Sequence, residues 1–135
     1  MKTILGFDSW TQGAHNFERL VPALRELGFE LILVHLGSWG HDPDRAREEK
    51  IGELTVRDIA YYEDPSFRAI LEREKPSAVV FLSVRAFAHR SFNRHCAHLG
   101  ITTLHLYHGL VSVQSVSGAR AYRVNWQSQL RLVAT

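Results

Sequence analysis

The chain has 135 residues, of which 45% are hydrophobic and 22% charged, with a formal net charge of +2. That composition fits one globular domain with a real core and excludes disorder. No apolar run approaches the ~20 residues that cross a bilayer, Met1 to Leu5 lacks a signal peptide's apolar core, and the single cysteine, Cys96, permits no internal disulfide.

The first strand is expected over Lys2 to Phe7, followed by the loop Asp8-Ser9-Trp10-Thr11-Gln12-Gly13. Phe17, Leu20, Val21, Leu24 and Leu27 then fall on one face at helical spacing, so one helix is read here, bent at Pro22 and closed by Gly28. Glu30 to Leu36 is a second, buried strand. Gly37 to Glu49 is polar and reads as a long loop carrying Trp39, His41 and Asp42, and Leu54 to Ile59 as a short third strand. Asp64-Pro65 signals a helix start, with Phe67, Ile70 and Leu71 on its core face and Pro76 ending it.

The stretch from Pro76 to Gly109 reads as a βαβ unit. Ala78 to Leu82 is apolar throughout, as a strand covered on both faces must be. Arg85 to His98 has helical spacing with Ala88, Phe92, Cys96 and Leu99 as its buried stripe, and Ile101 to Tyr107 is the next strand. Tyr122, Trp126, Leu130 and Val133 are spaced for a last amphipathic helix. Alternating strands and helices predict an α/β fold, a Rossmann-like three-layer sandwich around a parallel sheet of about five strands, formed by residues 1–135 as one domain. Ligands of such sheets sit beyond the carboxyl ends of the strands.

Charge is distributed unevenly. The segment before Lys75 has 14 acids against nine bases; from Lys75 onward there are no acids, seven Lys or Arg, and five of the eight histidines. The second half is therefore expected to face an anion, whether a phosphate-bearing ligand, a membrane surface or an acidic partner. Arg85 and His89 stand at the helix end nearest the binding edge, where the helix dipole also favours an anion.

Motifs narrow the chemistry. No segment carries Gly-x-Gly-x-x-Gly or Gly-x-x-x-x-Gly-Lys-Ser/Thr, so nothing points to a nicotinamide, a flavin or P-loop nucleotide binding. His95 and His98 are three apart on a helix but have no carboxylate near them in sequence, and no metal is expected; His105 is expected to be a core or helix-facing residue. Ser83, Ser112 and Ser115 lack the nucleophile-elbow context. Aromatics are not interleaved with the basic residues, which argues against nucleic acid. Cys96 reads as a small buried side chain. The candidates that remain are Gly13 and Ala14, whose amides open the first helix, His15 as a base beside them, Arg85 and His89, and His108-Gly109 after the fifth strand, where a glycine lets backbone approach a ligand.

The order of these parts resembles the opening of GT-B-fold glycosyltransferases. The resemblance is carried by Gly13-Ala14-His15 before a helix with Leu20-Val21-Pro22-Ala23-Leu24, then by Gly28-Phe29-Glu30-Leu31. Lys75-Pro76-Ser77-Ala78-Val79-Val80, Leu99-Gly100-Ile101-Thr102-Thr103-Leu104 and His108-Gly109 continue it. The family usually has His where Phe29 stands, Asp where Ser77 stands and Pro where Thr102 stands. The 2-epimerases of UDP-N-acetylglucosamine and the glycerophosphotransferases of cell-wall polymer synthesis share the pattern. The resemblance implies an N-terminal, acceptor-side domain in surface polysaccharide or glycolipid synthesis, inactive without a C-terminal domain or subunit that binds the nucleotide-sugar donor. It casts His15 as the base on the acceptor hydroxyl, Gly13 and Arg85 near the donor phosphates, and His108-Gly109 as cleft lining. It also implies a cytoplasmic place, peripheral at the inner membrane face, with a lipid-pyrophosphate acceptor. A sugar-nucleotide epimerase half or a stand-alone α/β binding module are the other readings of the same parts.

Overall fold

A computed structural model describes residues 1–9, 11–39 and 44–106. Its centre is a six-stranded sheet formed by β1 (Lys2–Asp8), β2 (Phe29–His35), β3 (Glu48–Ile51), β4 (Leu54–Asp58), β5 (Ala78–Phe81) and β6 (Thr102–His105). The spatial order is β3-β4-β2-β1-β5-β6, and every pair is parallel except the β3–β4 hairpin at one edge. The chain is an α/β Rossmann-like sandwich with five parallel strands. From β1 it winds outward through β2 and β4, then returns to β5 on the other side of β1, so the winding reverses between β1 and β5.

Each central strand is apolar on both faces because helices cover both. On one face Leu5, Phe7, Ile32, Val34, Val79 and Phe81 pack with Ile70 and Leu71 of α3 (Phe67–Glu74) and with Phe92 and Cys96 of α4 (Phe87–His98). On the other, Ile4, Leu31, Leu33, Leu54, Val56 and Val80 meet Ala14 and Phe17 of α1 (Ala14–Glu18) and Val21 of α2 (Val21–Glu26). Burying a Phe or Leu fully contributes roughly 1.5–3 kcal/mol, so the stripes on α3 and α4 are what hold them to the sheet. Gly6 is where the second face closes most tightly: a Cβ there would lie 2.6 Å from the Phe17 ring. Cys96 is fully buried, and burial pushes its thiol up to about 12, so it packs as a small apolar side chain.

Several expectations are corrected. Two short helices stand where one bent helix was expected, because Pro22 occupies the first turn of α2, where its missing N–H costs nothing, and Leu27 at its end is exposed. The cap of α3 is Ser66, whose hydroxyl accepts from the Ala69 N–H; Asp64 instead accepts from the Ser66 N–H, one turn earlier. The expected loop Gly37 to Glu49 runs at its end into β3, an edge strand whose residues are exposed or half-buried and so carry no apolar alternation. The basic helix begins at Phe87, leaving Arg85 in the preceding loop, and His105 is exposed at the sheet edge with its ring stacked on Phe81. The expected helix from Tyr122 to Val133, along with His41, Asp42 and His108-Gly109, lies outside the described residues. Among the described residues no helix is long and apolar enough to cross a membrane.

Candidate functional site

The carboxyl ends of β1, β2 and β4 terminate in register on three polar residues, since Asp8 pairs with His35 and His35 with Asp58. Strands this apolar end on acids and a histidine only where the chain leaves the core. The row therefore marks the edge of the sheet at which parallel α/β folds bind ligands. Two carboxylate–imidazole pairs are built on it.

The first lies where the winding reverses. His89, on the first turn of α4, is 4% exposed and turns its ring edge-on to Phe7 at 5.4 Å. Its Nε2 lies 3.3 Å from Asp8 Oδ1, yet the alignment is not that of a hydrogen bond, and neither ring nitrogen has a hydrogen-bond partner among the described residues. Asp8 stands in front of it, with its side chain 21% exposed. Among the described residues its carboxylate accepts one hydrogen bond, from the Ser9 N–H at 2.7 Å. Gly13 closes the other side: a Cβ there would come within 2.8 Å of Asp8 Oδ2. Space beside that carboxylate thus depends on a glycine.

The second pair is enclosed. His35 and Asp58 are each 1% exposed, with Nδ1 3.3 Å from Oδ2. The Gly37 N–H donates to Nδ1 at 3.0 Å, which places the ring proton on Nε2. Asp58 accepts from the Ser38 N–H, the Ser38 hydroxyl and the Ala60 N–H. Burial holds His35 below its ordinary value against the opposing pull of Asp58. Although serine, histidine and aspartate meet here, Ser38 donates to the aspartate and not to the imidazole, so no nucleophile is activated. The cluster instead fastens the turn after β2 to the end of β4.

The residues expected from sequence divide accordingly. Gly13 and His89 are brought together at the Asp8 crevice. Ala14 is buried beneath it in the core. Arg85 is exposed at the same edge, in the β5–α4 loop, where its N–H donates to Ser83 Oγ and its carbonyl accepts from Arg90. His15 is not brought to the crevice: its side chain is 81% exposed and pairs with Glu18, whose carboxylate lies against Gly52 of the β3–β4 hairpin. Asp8, His35 and Asp58 were not among the candidates, although each ends a strand. Beyond β5 and β6 a shallow, open depression is lined by Phe81, Ser83, Val84 and His105 among others. No group of three or more metal-ligating side chains occurs among the described residues.

Comparison of the chain with protein-family models, with curated proteins and with solved structures finds no match in any of the three. What the site can do is therefore argued from its own geometry. An accessible carboxylate with acceptor capacity to spare, beside a glycine and in front of a buried imidazole, is suited to receive a hydroxyl group and its proton.

Proposed function

We propose that this chain is the acceptor-side half of a GT-B glycosyltransferase of surface polysaccharide or glycolipid synthesis, with the Asp8 crevice as the place where the acceptor hydroxyl is held. The observation that carries this reading is the Asp8 carboxylate: partly open, singly hydrogen-bonded among the described residues and backed by His89 at 3.3 Å. A sugar hydroxyl that donates to Asp8 Oδ2 gains a charge-assisted hydrogen bond. In transfer, the acceptor's hydroxyl oxygen bonds to the anomeric carbon of the donor and the hydroxyl proton passes to Asp8. The bond from the anomeric carbon to the donor phosphate breaks, and the nucleoside diphosphate leaves with the electron pair. His89 packs behind the carboxylate and keeps that side closed to water, and a separate domain or subunit brings the nucleotide-sugar.

The basic residues around α4, Arg85, Arg90 and Arg94, suit a lipid-pyrophosphate acceptor at an anionic membrane surface. Binding to phosphatidylglycerol vesicles is then expected at low salt and lost on raising it; no binding at low salt removes the membrane part. The central test is transfer. The product of the complete reading frame, supplied with UDP- and GDP-sugars and a membrane lipid extract, is expected to form a glycosylated product detectable by mass spectrometry. Asp8→Asn is expected to abolish it. Absence of transfer with every donor overturns the reading.

A further inference from the structure

The enclosed pair carries an inference that rests on the reading above and extends it to how the acceptor's sugar ring is held. Among the described residues His35 and Asp58 accept four hydrogen bonds, three from the three-residue turn Gly37–Trp39 and one from Ala60, while His35 Nε2 has no partner. The Gly37 N–H is held by His35 Nδ1, and the Ser38 N–H and hydroxyl by Asp58. The Trp39 N–H closes the turn on the Leu36 carbonyl at 3.0 Å, and the Leu36 N–H ties it to Ser9 O beside Asp8 at 3.2 Å. At the tip of this fastened turn stands Trp39, 62% exposed. Its ring lies nearly parallel to that of Phe67, 22° between planes and 6.4 Å between centroids, so one indole face is backed by α3. Phe67 meets Phe7 edge-on at 5.5 Å, and Phe7 meets His89 at 5.4 Å. The aromatic contacts therefore run without a gap from Trp39 to the Asp8–His89 pair.

Burying two polar side chains to immobilise a short turn is costly unless the turn must hold its shape. With 62% of its surface exposed, Trp39 contributes little to the core beyond its contact with Phe67. We infer that Trp39 is a preorganised platform on which the apolar C–H face of the acceptor's pyranose ring stacks, while a hydroxyl of the acceptor reaches Asp8. The axial hydrogens of a pyranose are weakly positive and the indole face negative, so the contact gains from the ring quadrupole as well as from area removed from water. Because the turn is fixed before the ligand arrives, little ordering entropy is lost on binding.

The experiment is an NMR titration of the full 135-residue chain with methyl β-glucoside, methyl β-galactoside and methyl N-acetyl-β-glucosaminide, following the Trp39 indole N–H and the amides of Asp8, Ser9 and His89. The expected result is saturable movement of the Trp39 signal together with the Asp8 amides. Trp39→Ala is expected to weaken binding about tenfold and Trp39→Phe by less, since Phe keeps a π face. Ser38→Ala, which leaves the indole but removes a fastening of its turn, is expected to weaken it several-fold. Movement at Asp8 and Ser9 with none at Trp39 overturns the platform and leaves the crevice reading standing. Movement at Trp39 alone keeps the platform and counts against the crevice. No movement at either overturns both, and unchanged affinity in Ser38→Ala overturns the claim of preorganisation.

Discussion

Two carboxylate–imidazole pairs end neighbouring strands of one sheet, each with 3.3 Å between a carboxylate oxygen and a ring nitrogen, and their hydrogen bonding is opposite. In the His35–Asp58 pair the carboxylate is closed off and accepts three hydrogen bonds from the two loops it joins. In the His89–Asp8 pair the imidazole is the enclosed member and lacks partners among the described residues, while the carboxylate keeps an open side. Residue type and separation are the same in both, so neither identifies a site. What distinguishes them is where hydrogen-bonding capacity is left over. Leftover capacity facing solvent invites a ligand; capacity consumed by backbone amides builds a scaffold.

The sharpest test of the contrast is stability. Asp58→Ala leaves the Ser38 N–H, its hydroxyl and the Ala60 N–H without their acceptor in a site that water reaches poorly. Unsatisfied buried donors cost about 1–3 kcal/mol each, partly offset by local relaxation. We expect a loss on the order of 3 kcal/mol in urea unfolding, with Tm falling by roughly 10 °C. The matching change at the other pair, Asp8→Ala, gives up one hydrogen bond, from the Ser9 N–H, at a partly open position and should move stability by less than about 1 kcal/mol while removing the proposed ligand binding and transfer. Equal losses in the two variants would erase the distinction between scaffold and site.

A smaller effect of opposite sign is expected at His89. Its ring packs against Phe7 and both nitrogens lack hydrogen-bond partners among the described residues. Replacing a buried, unpartnered polar ring with an apolar ring of similar shape removes a desolvation cost. His89→Phe should therefore raise stability by about 1 kcal/mol while lowering the proposed transfer, a trade expected where a buried polar group is kept for a site rather than for the fold. Destabilisation would mean that the imidazole is satisfied in solution and contributes to the fold.

The fold was largely legible because burial writes itself into apolar runs. Leu31 to Val34 and Ala78 to Phe81 are covered on both faces and contain no polar residue, and the stripe Phe92–Cys96 on α4 follows directly from spacing. What escaped was structure held by hydrogen bonds alone. Strand β3 pairs its backbone with β4 but buries no side chain fully, Ile51 being only half-buried against the core, so Glu48 to Ile51 has little pattern to read. The break between α1 and α2 was visible as Pro22 but admits two meanings, a bend or a start, which only packing decides. At the site, His89 and Gly13 were found from their place in the topology. Asp8, His35 and Asp58 were passed over because each looked like an ordinary end of its strand. Their meaning lies in the register that aligns them across three strands, a relation that one strand's sequence does not contain. His15 illustrates the converse: it stands in the expected loop-to-helix position, yet the helix turns it towards Glu18 and the hairpin.

The smallest expected effect concerns the proton on His35. Its value is lowered from 6.5 chiefly by burial; Asp58, Glu49 and Asp8 oppose that shift and Arg45 adds to it. Between the lowered value and 6.5 the unfolded chain therefore binds more protons than the folded one, so stability falls as the pH falls through that window and is unaffected above it. The geometry gives the reason. A neutral ring accepts from the Gly37 N–H at Nδ1, whereas a protonated ring must donate there, towards Asp58 Oδ2, and release Gly37. His35→Asn has no such proton to gain. The stability difference between wild type and His35→Asn, measured by urea unfolding at pH 7.5 and at successively lower pH, should shrink as acid is added, with the other histidines cancelling because both proteins carry them. Because the released amide belongs to the turn beneath Trp39, indole fluorescence of the folded wild type should change at the lower edge of that window, as the pH falls through the lowered value, and this step should be missing in the variant. A stability difference independent of pH would show that the folded and unfolded rings hold the proton equally, the pull of Asp58 offsetting burial, and would overturn this coupling of the turn to His35.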